Sequence, residues 1–203
     1  MRISHDGARP SIHSEAYVSP AAILSGDVRV GAGSRILHAA VLTAEGGPLS
    51  VGERCVIMEG SVLRSTRRHP LIIGNHVLVG PNAYLTGCQI EDEVFIATGA
   101  MVFNGAVMHR ASSVALGGAV HVGCDVPAEE RIPIGWIAVG DPARLHPPEA
   151  VAEIRAGLTE VGGFLPYVFG IPDTGDRGQM MRESMTRYSD ALARHLSDAV
   201  EQC

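Results

Sequence analysis

The feature that most restricts this chain is a six-residue spacing of aliphatic side chains. Val18, Leu24, Val30, Ile36 and Leu42 stand six apart, as do Val51, Ile57 and Leu63, and Ile73, Val79 and Leu85. The longest run is Ile90, Ile96, Val102, Met108, Val114 and Val120. Four positions after each aliphatic the residue is usually small or aliphatic, as at Ala22, Cys55, Ala83 and Ala100, and Gly31, Gly52, Gly74 and Gly80 follow an aliphatic directly. A helix repeats near 3.6 residues and a simple strand at 2. A period of six fits a short strand plus a turn. Three such units make a triangular coil of about eighteen residues that stacks only on its neighbours. The aliphatics then form ladders up the interior, with coils ~4.8 Å apart. The composition agrees, being 46% hydrophobic but only 4% aromatic, which suits stacked strands filled by small branched side chains. A β-sandwich with accidental spacing would have to produce all six matches from Ile90 to Val120.

The expected fold is therefore an all-β solenoid, a parallel β-helix of hexapeptide repeats forming a single domain with C-terminal helices. About six coils fit between Val18 and Val139, a prism roughly 30 Å tall. The repeat breaks at Glu45 to Pro48, at the basic stretch STRRHPL from Ser65 to Leu71, and at Gly87 and Cys88, where the step is five. Insertions in a solenoid map to corner loops, which often carry binding residues. The segment WIAVGDPAR, from Trp136 to Arg144, leaves the coil. Pro147 and Pro148 then open a helix with Val151, Ile154, Leu158 and Val161 at helical spacing. After a loop rich in Gly and Pro, a second helix places Met181, Met185, Tyr188, Leu192 and Leu196 on one face. This divides the chain into a prism over 1–144 and a two-helix extension over 145–203, docked on the prism or on a neighbouring subunit.

A formal net charge of −6 gives no reason to expect nucleic acid or an anionic membrane surface as a partner. Cys55, Cys88, Cys124 and Cys203 show no close pairing and read as small thiols in a reducing compartment. Met1 to Pro10 is polar and unlike a signal peptide, and no apolar run approaches the ~20 residues of a membrane span. The expected location is cytoplasmic.

The stretch VGPNAYLTGCQIEDEVFIATGAMVF, from Val79 to Phe103, resembles the core signature of γ-class carbonic anhydrase-like proteins. EGSVLR, from Glu59 to Arg64, resembles the preceding segment of that family, and VGDPAR, from Val139 to Arg144, an exit motif shared with hexapeptide acyltransferases. The resemblance covers most of the chain up to about Arg144. It implies a left-handed coil, against the right-handed rule for ordinary parallel crossovers, and a homotrimer with active sites between subunits. It also implies that the family's three zinc histidines fall at Arg64, Pro81 and Thr86. Zinc needs three N, S or carboxylate ligands and an open position. Arginine is permanently charged, proline has no donor atom, and threonine alone does not hold zinc. No metal and no cofactor is expected there. The family's Arg and Asp fall at Thr43 and Glu45, and its Gln-Asp pair at Met58 and Glu59, so that each acid is kept but lengthened by one methylene.

Thr43, Arg64, Thr86 and Phe103 each follow an inward aliphatic and form one outward column. His38, Glu59, Pro81 and Thr98 each lie two after an aliphatic and form a second. In the family such columns face each other across the subunit boundary. Arg64 then puts a positive charge where the ion would stand, either to bind a carboxylate or phosphate or to pair with Glu59 or Glu45 and close the pocket. Substrate contacts are expected from Arg64, Glu45, Thr86, Asn82 and Asn104, with His38, Glu59 and Tyr84 as candidates for catalysis. The basic loop Arg67, Arg68, His69 reads either as an attractor of acidic substrate or as a solvated corner. None of the nine histidines has the i, i+4 or His-x-His spacing of a compact metal site, so a replacement site would need distant histidines to meet across subunits. The leading reading is a metal-free trimeric relative of the γ-carbonic anhydrases that binds a small anionic or acyl substrate. The others are a CoA-dependent hexapeptide acyltransferase, a non-catalytic trimeric scaffold and, last, an active zinc carbonic anhydrase with relocated ligands. If the chain is an enzyme, the chemistry implied is that of a metal-independent lyase or an acyltransferase.

Overall fold

The computed structural model describes residues 1–200, and in it the six-residue ladders close into a left-handed parallel β-helix. Three faces stack around one core. The first has ten strands, and the second and third have seven each. Register follows the repeat. On the first face Leu24, Leu42, Leu63, Leu85, Val102, Val120 and Ala138 pair rung on rung, and all are fully buried. The second face stacks Val30, Val51, Ile73, Ile90, Met108 and Val126. The third stacks Ile36, Ile57, Val79, Ile96, Val114 and Ile132. Backbone hydrogen bonds join only adjacent coils, so each coil templates the next.

The prism is longer than the expected six coils. The stack begins before Val18, with Arg2–Ser4 against Ile23–Ser25 and Ser11–Ile12 against Val28–Val30. Ile12 stands six before Val18 and continues the period. At Arg2–Ser4 the position opposite Leu24 is instead held by Arg2, since ladder pairing is a backbone property and does not need an aliphatic at every turn. At the far end Ile137–Val139 is still a rung, paired parallel to Ala119–Val120, although it was read as having left the coil. The chain then turns and runs back antiparallel at Arg144–His146. The boundary expected at 144 falls inside this return strand.

Beyond it lie α1 (Val151–Glu160), α2 (Phe164–Phe169) and α3 (Arg177–Leu192), followed by a 3-10 turn over Ala193–Ser197. The segment read as a loop thus contains a short helix, FLPYVF. α1 lies on the prism through Gly157, where a Cβ would stand 2.5 Å from Val139 Cγ2. α3 begins at Asp176, whose carboxylate accepts from the Gly178 and Gln179 amides, an N-cap arrangement. Its inner face is the expected one at Tyr188 and Leu192 but not in the first two turns. Met180 and Ser184 are buried with Tyr188 and Leu192 half-buried beside them, while Met181 and Met185 are exposed. In those turns the stripe is displaced by one residue, about 100° around a helix, and the small Ser184 lets the backbone approach. Leu196 lies past the helix in the 3-10 turn and is exposed.

The last strand, Ala199–Val200, returns to the opposite end of the first face and pairs antiparallel with Arg2–Ser4. Chain start and chain end therefore share one sheet edge. Among the described residues no helix is long and apolar enough to cross a membrane. Cys55, Cys88 and Cys124 are buried free thiols. Burial pushes Cys124 up to about 12, so it is no nucleophile. Cys203 lies outside the described residues.

Candidate functional site: an arginine pocket under the third helix

Thr43, Arg64 and Thr86 stand in register on the first face, and Phe103 continues the column by following Val102, the partner of Leu85. Arg64 is the residue to explain. One of its guanidinium nitrogens lies 3.3 Å from a Glu45 carboxylate oxygen, with the side chains 25% and 10% exposed. The Tyr188 ring of α3 lies 5.5 Å from the guanidinium carbon, a cation–π distance. Burial raises the Tyr188 phenol above its ordinary pKa, against the opposing pull of Arg64. Thr86 is buried beside Arg64.

A pocket of about 460 Å³ opens here. The prism supplies Glu45, Arg64, Thr66, Arg67 and Arg68, and the helices supply Val168, Phe169, Tyr188 and Leu192. The prism wall is mostly cationic, and the helix wall mixes these apolar side chains with Arg187, Asp190 and Arg194. Arg187 and Arg194, also on the lining, are spent on Glu183 and Asp6. Among the described residues no ion pair engages Arg67 or Arg68. Their loop neighbour His69 turns away and stacks on Tyr167 with ring centroids 5.4 Å apart. Burial, then the Arg68 charge, holds its pKa below the ordinary value.

The other sequence candidates lie elsewhere. His38 and Glu59 are stacked through their backbones on the third face. His38 is exposed, with Nδ1 2.5 Å from Ser19 Oγ, and the Glu59 side chain is exposed with no ion pair among the described residues. Neither meets Arg64 within the chain. Asn82 occupies a corner at φ +55°. Tyr84 is half-buried with its ring 6.3 Å from that of Phe103. Asn104 is buried, and its Nδ2 has no partner among the described residues. None of these three lines the pocket. Pro81 and Thr98 of the second column instead border an apolar patch with Leu78, Phe95, Leu116 and Ile134.

Sequence reading missed the groups behind Glu45. His195 Nε2 lies 3.0 and 3.1 Å from the two Glu45 oxygens, and its Nδ1 lies 2.8 Å from Asp198 Oδ2. The other Asp198 oxygen is 2.6 Å from His5 Nδ1. The hydrogen bond with Asp198, opposed by burial and aided by Glu45, raises the His195 pKa. Burial of Asp198 is outweighed by its bonds to His195 and His5, so its pKa is lowered. The expectation that histidines meet only across subunits is corrected here, because His5 and His195 stack within one chain with centroids 4.2 Å apart. They are brought together by the closing strand pair, and no spacing in the sequence announces it.

A model of the hexapeptide repeat of succinyl-transferase matches residues 70–104. The mitochondrial γ-carbonic anhydrase 1 of Arabidopsis thaliana is 38% identical over 141 residues, which cover 66% of this chain and 49% of that protein. The chain thus spans about half the length of that relative. The carnitine operon protein CaiE of Escherichia coli K12 is 32% identical over 139 residues, 68% of each chain. Among solved structures, the UDP-N-acetylglucosamine O-acyltransferase of Moraxella catarrhalis aligns with a TM-score of 0.50 and 15% identity, over 91% of this chain and 90% of that one. This last likeness concerns the fold alone. The six-residue ladders, the Val79–Phe103 signature and these alignments agree, and the chain belongs to the γ-carbonic anhydrase-like family of hexapeptide-repeat proteins.

Proposed function

We propose that this protein is a divergent γ-carbonic anhydrase-like homotrimer that binds a small carboxylate or acyl anion beside Arg64, with no metal at the family's zinc position. The observation that carries the reading is Arg64 itself. A guanidinium occupies the rung where the family resemblance puts the first zinc histidine, and it lines a pocket with Arg67 and Arg68, which make no ion pair among the described residues. Arginine holds a carboxylate through two parallel N–H donors, and Phe169, Tyr188 and Leu192 give an attached carbon chain an apolar wall. At Pro81 there is no donor atom, and at Thr86 only a buried hydroxyl. The trimer reading is supported by the third face, where Phe95, Leu116 and Ile134 are exposed large apolar side chains. A second copy covering that patch also covers Pro81 and Thr98, which brings the second column toward a neighbour's Arg64. Ile134→Glu should then lower the sedimentation mass from three chains toward one. A wild-type mass near 21 kDa would end the trimer reading.

The Glu45 contact favours a second reading, in which the pair only closes a dead pocket. Titration calorimetry with acetate, butyrate and succinate, together with melting curves, separates the two. If Arg64 is a ligand clamp, Arg64→Met abolishes binding and leaves the melting temperature nearly unchanged. If it is structural, Arg64→Met lowers the melting temperature, Arg64→Met with Glu45→Gln recovers much of the loss, and no carboxylate binds the wild type.

A further inference from the structure

We infer that His5, His195 and Asp198 form a divalent transition-metal site, beside the Arg64 pocket and linked to it through Glu45. The three residues offer two imidazole nitrogens and one carboxylate oxygen, all within 4.8 Å of one another. With ligand bonds of 2.0–2.1 Å, the ligand atoms of a tetrahedral zinc site stand about 3.3 Å apart. The gaps of 2.6 and 2.8 Å from His5 and His195 to the two Asp198 oxygens would need to open by roughly 0.5–0.7 Å. Two histidines and one acid leave a fourth position for water, the open set of a catalytic-type ion rather than the closed set of a structural one. The N,O donor set suits zinc and its borderline neighbours rather than magnesium or calcium.

A second observation points the same way. A metal-bound histidine commonly donates its other ring N–H to a carboxylate, which fixes tautomer and orientation. His195 already has that carboxylate, because its Nε2 faces both oxygens of Glu45 while its Nδ1 faces Asp198. Glu45 is held in turn by Arg64. His5 lacks such support. Its ring is 2% exposed and its Nε2 meets no partner among the described residues, so a metal at Nδ1 would leave that N–H without a partner there. His5 is accordingly the weakest of the three ligands.

The test uses the full chain, stripped with a chelator, dialysed and titrated with cobalt(II) and then zinc. One cobalt per chain is expected, with the intense visible absorption of a tetrahedral ion, bleached by one equivalent of zinc. His195→Gln and Asp198→Asn should each weaken binding by more than 100-fold, Glu45→Gln by roughly 10–100-fold, and His5→Gln by less than His195→Gln. His109→Gln, which alters a histidine between two surface acids, should change nothing. Arg64→Met should leave one metal per chain while removing carboxylate binding, so this inference and the Arg64 reading fail separately. The wild-type cobalt spectrum needs no variant and stands even if His5→Gln fails to fold. Absence of a tetrahedral spectrum, or a stoichiometry untouched by His195→Gln and Asp198→Asn, would overturn the site and leave a hydrogen-bonded clasp.

Discussion

The prism and the tail are held by different kinds of contact. Inside the prism each aliphatic touches its equivalents one coil above and one below, so Leu63 lies between Leu42 and Leu85. The tail is fixed by a few contacts between residues far apart in sequence. His195 reaches Glu45 across 150 positions and Asp198 reaches His5 across 193, while Gly157 presses on Val139. The first kind of contact repeats and is redundant. The second occurs once. Stability therefore resides in the ladder, and the tail, which roofs the Arg64 pocket, can be altered with less damage.

The largest effect should come from breaking a rung. Leu63 is fully buried at the centre of the first face, and Leu63→Ala should cost about 2–5 kcal/mol, read as a lower urea midpoint. Leu192→Ala, on the half-buried face of α3, should cost well under that. Equal losses would mean that the tail is as much a part of the core as the ladder.

This difference also decides what the sequence discloses. A contact that recurs every eighteen residues leaves a period, and the ladders were legible from Val18 to Val120 for that reason. So was the column of Thr43, Arg64 and Thr86, since register carries outward residues along with inward ones. The rung at Ser11–Ile12 is on the period, with Ile12 six before Val18, while Arg2–Ser4 was hidden because Arg2, not an aliphatic, pairs with Leu24. The first half of the α3 stripe is displaced by one residue, because Met180 and Met181 are equally apolar and only the docking surface chooses between them, while Tyr188 and Leu192 fall where the spacing puts them. Tyr188 could be placed on a helix but not over Arg64. The His5, His195 and Asp198 cluster left no trace, as nothing periodic links the two ends of the chain. A closing pair of short strands makes that link.

A middle-sized effect should separate tail from prism directly. A side chain at position 157 meets Val139 Cγ2 at 2.5 Å, and its Cβ at 2.8 Å, both inside van der Waals contact. Gly157→Val should lift α1 away at a cost of roughly 1–3 kcal/mol, the usual range for overpacking. Hydrogen exchange should show lost protection over Val151–Glu160 with the strands around Leu63 unchanged. Lost protection throughout the first face would instead place α1 among the elements that hold the prism together.

The smallest effect tests whether a polar bridge adds anything where the ladder already holds. His109 spans three rungs of the second face, with Nδ1 3.0 Å from Glu91 and Nε2 3.1 Å from Asp125. Burial disfavours its charge, but the bonds to Glu91 and Asp125 outweigh burial and raise its pKa above the ordinary 6.5. The sign follows from linkage. A raised folded-state pKa means that the native state holds its proton more tightly than the unfolded chain. The stabilisation is therefore complete below 6.5 and fades as pH rises through the higher folded value. All three side chains are about one-third exposed, so screening keeps the contribution to roughly 0.2–1 kcal/mol. Urea unfolding of the wild type and His109→Gln should differ by that amount at about pH 5.5, and the difference should shrink at about pH 8.5 as the imidazole loses its proton. Added salt should shrink the difference at the lower pH. A difference that is the same at both pH values would show that His109 contributes by packing between coils, as the aliphatics do, rather than by its charge.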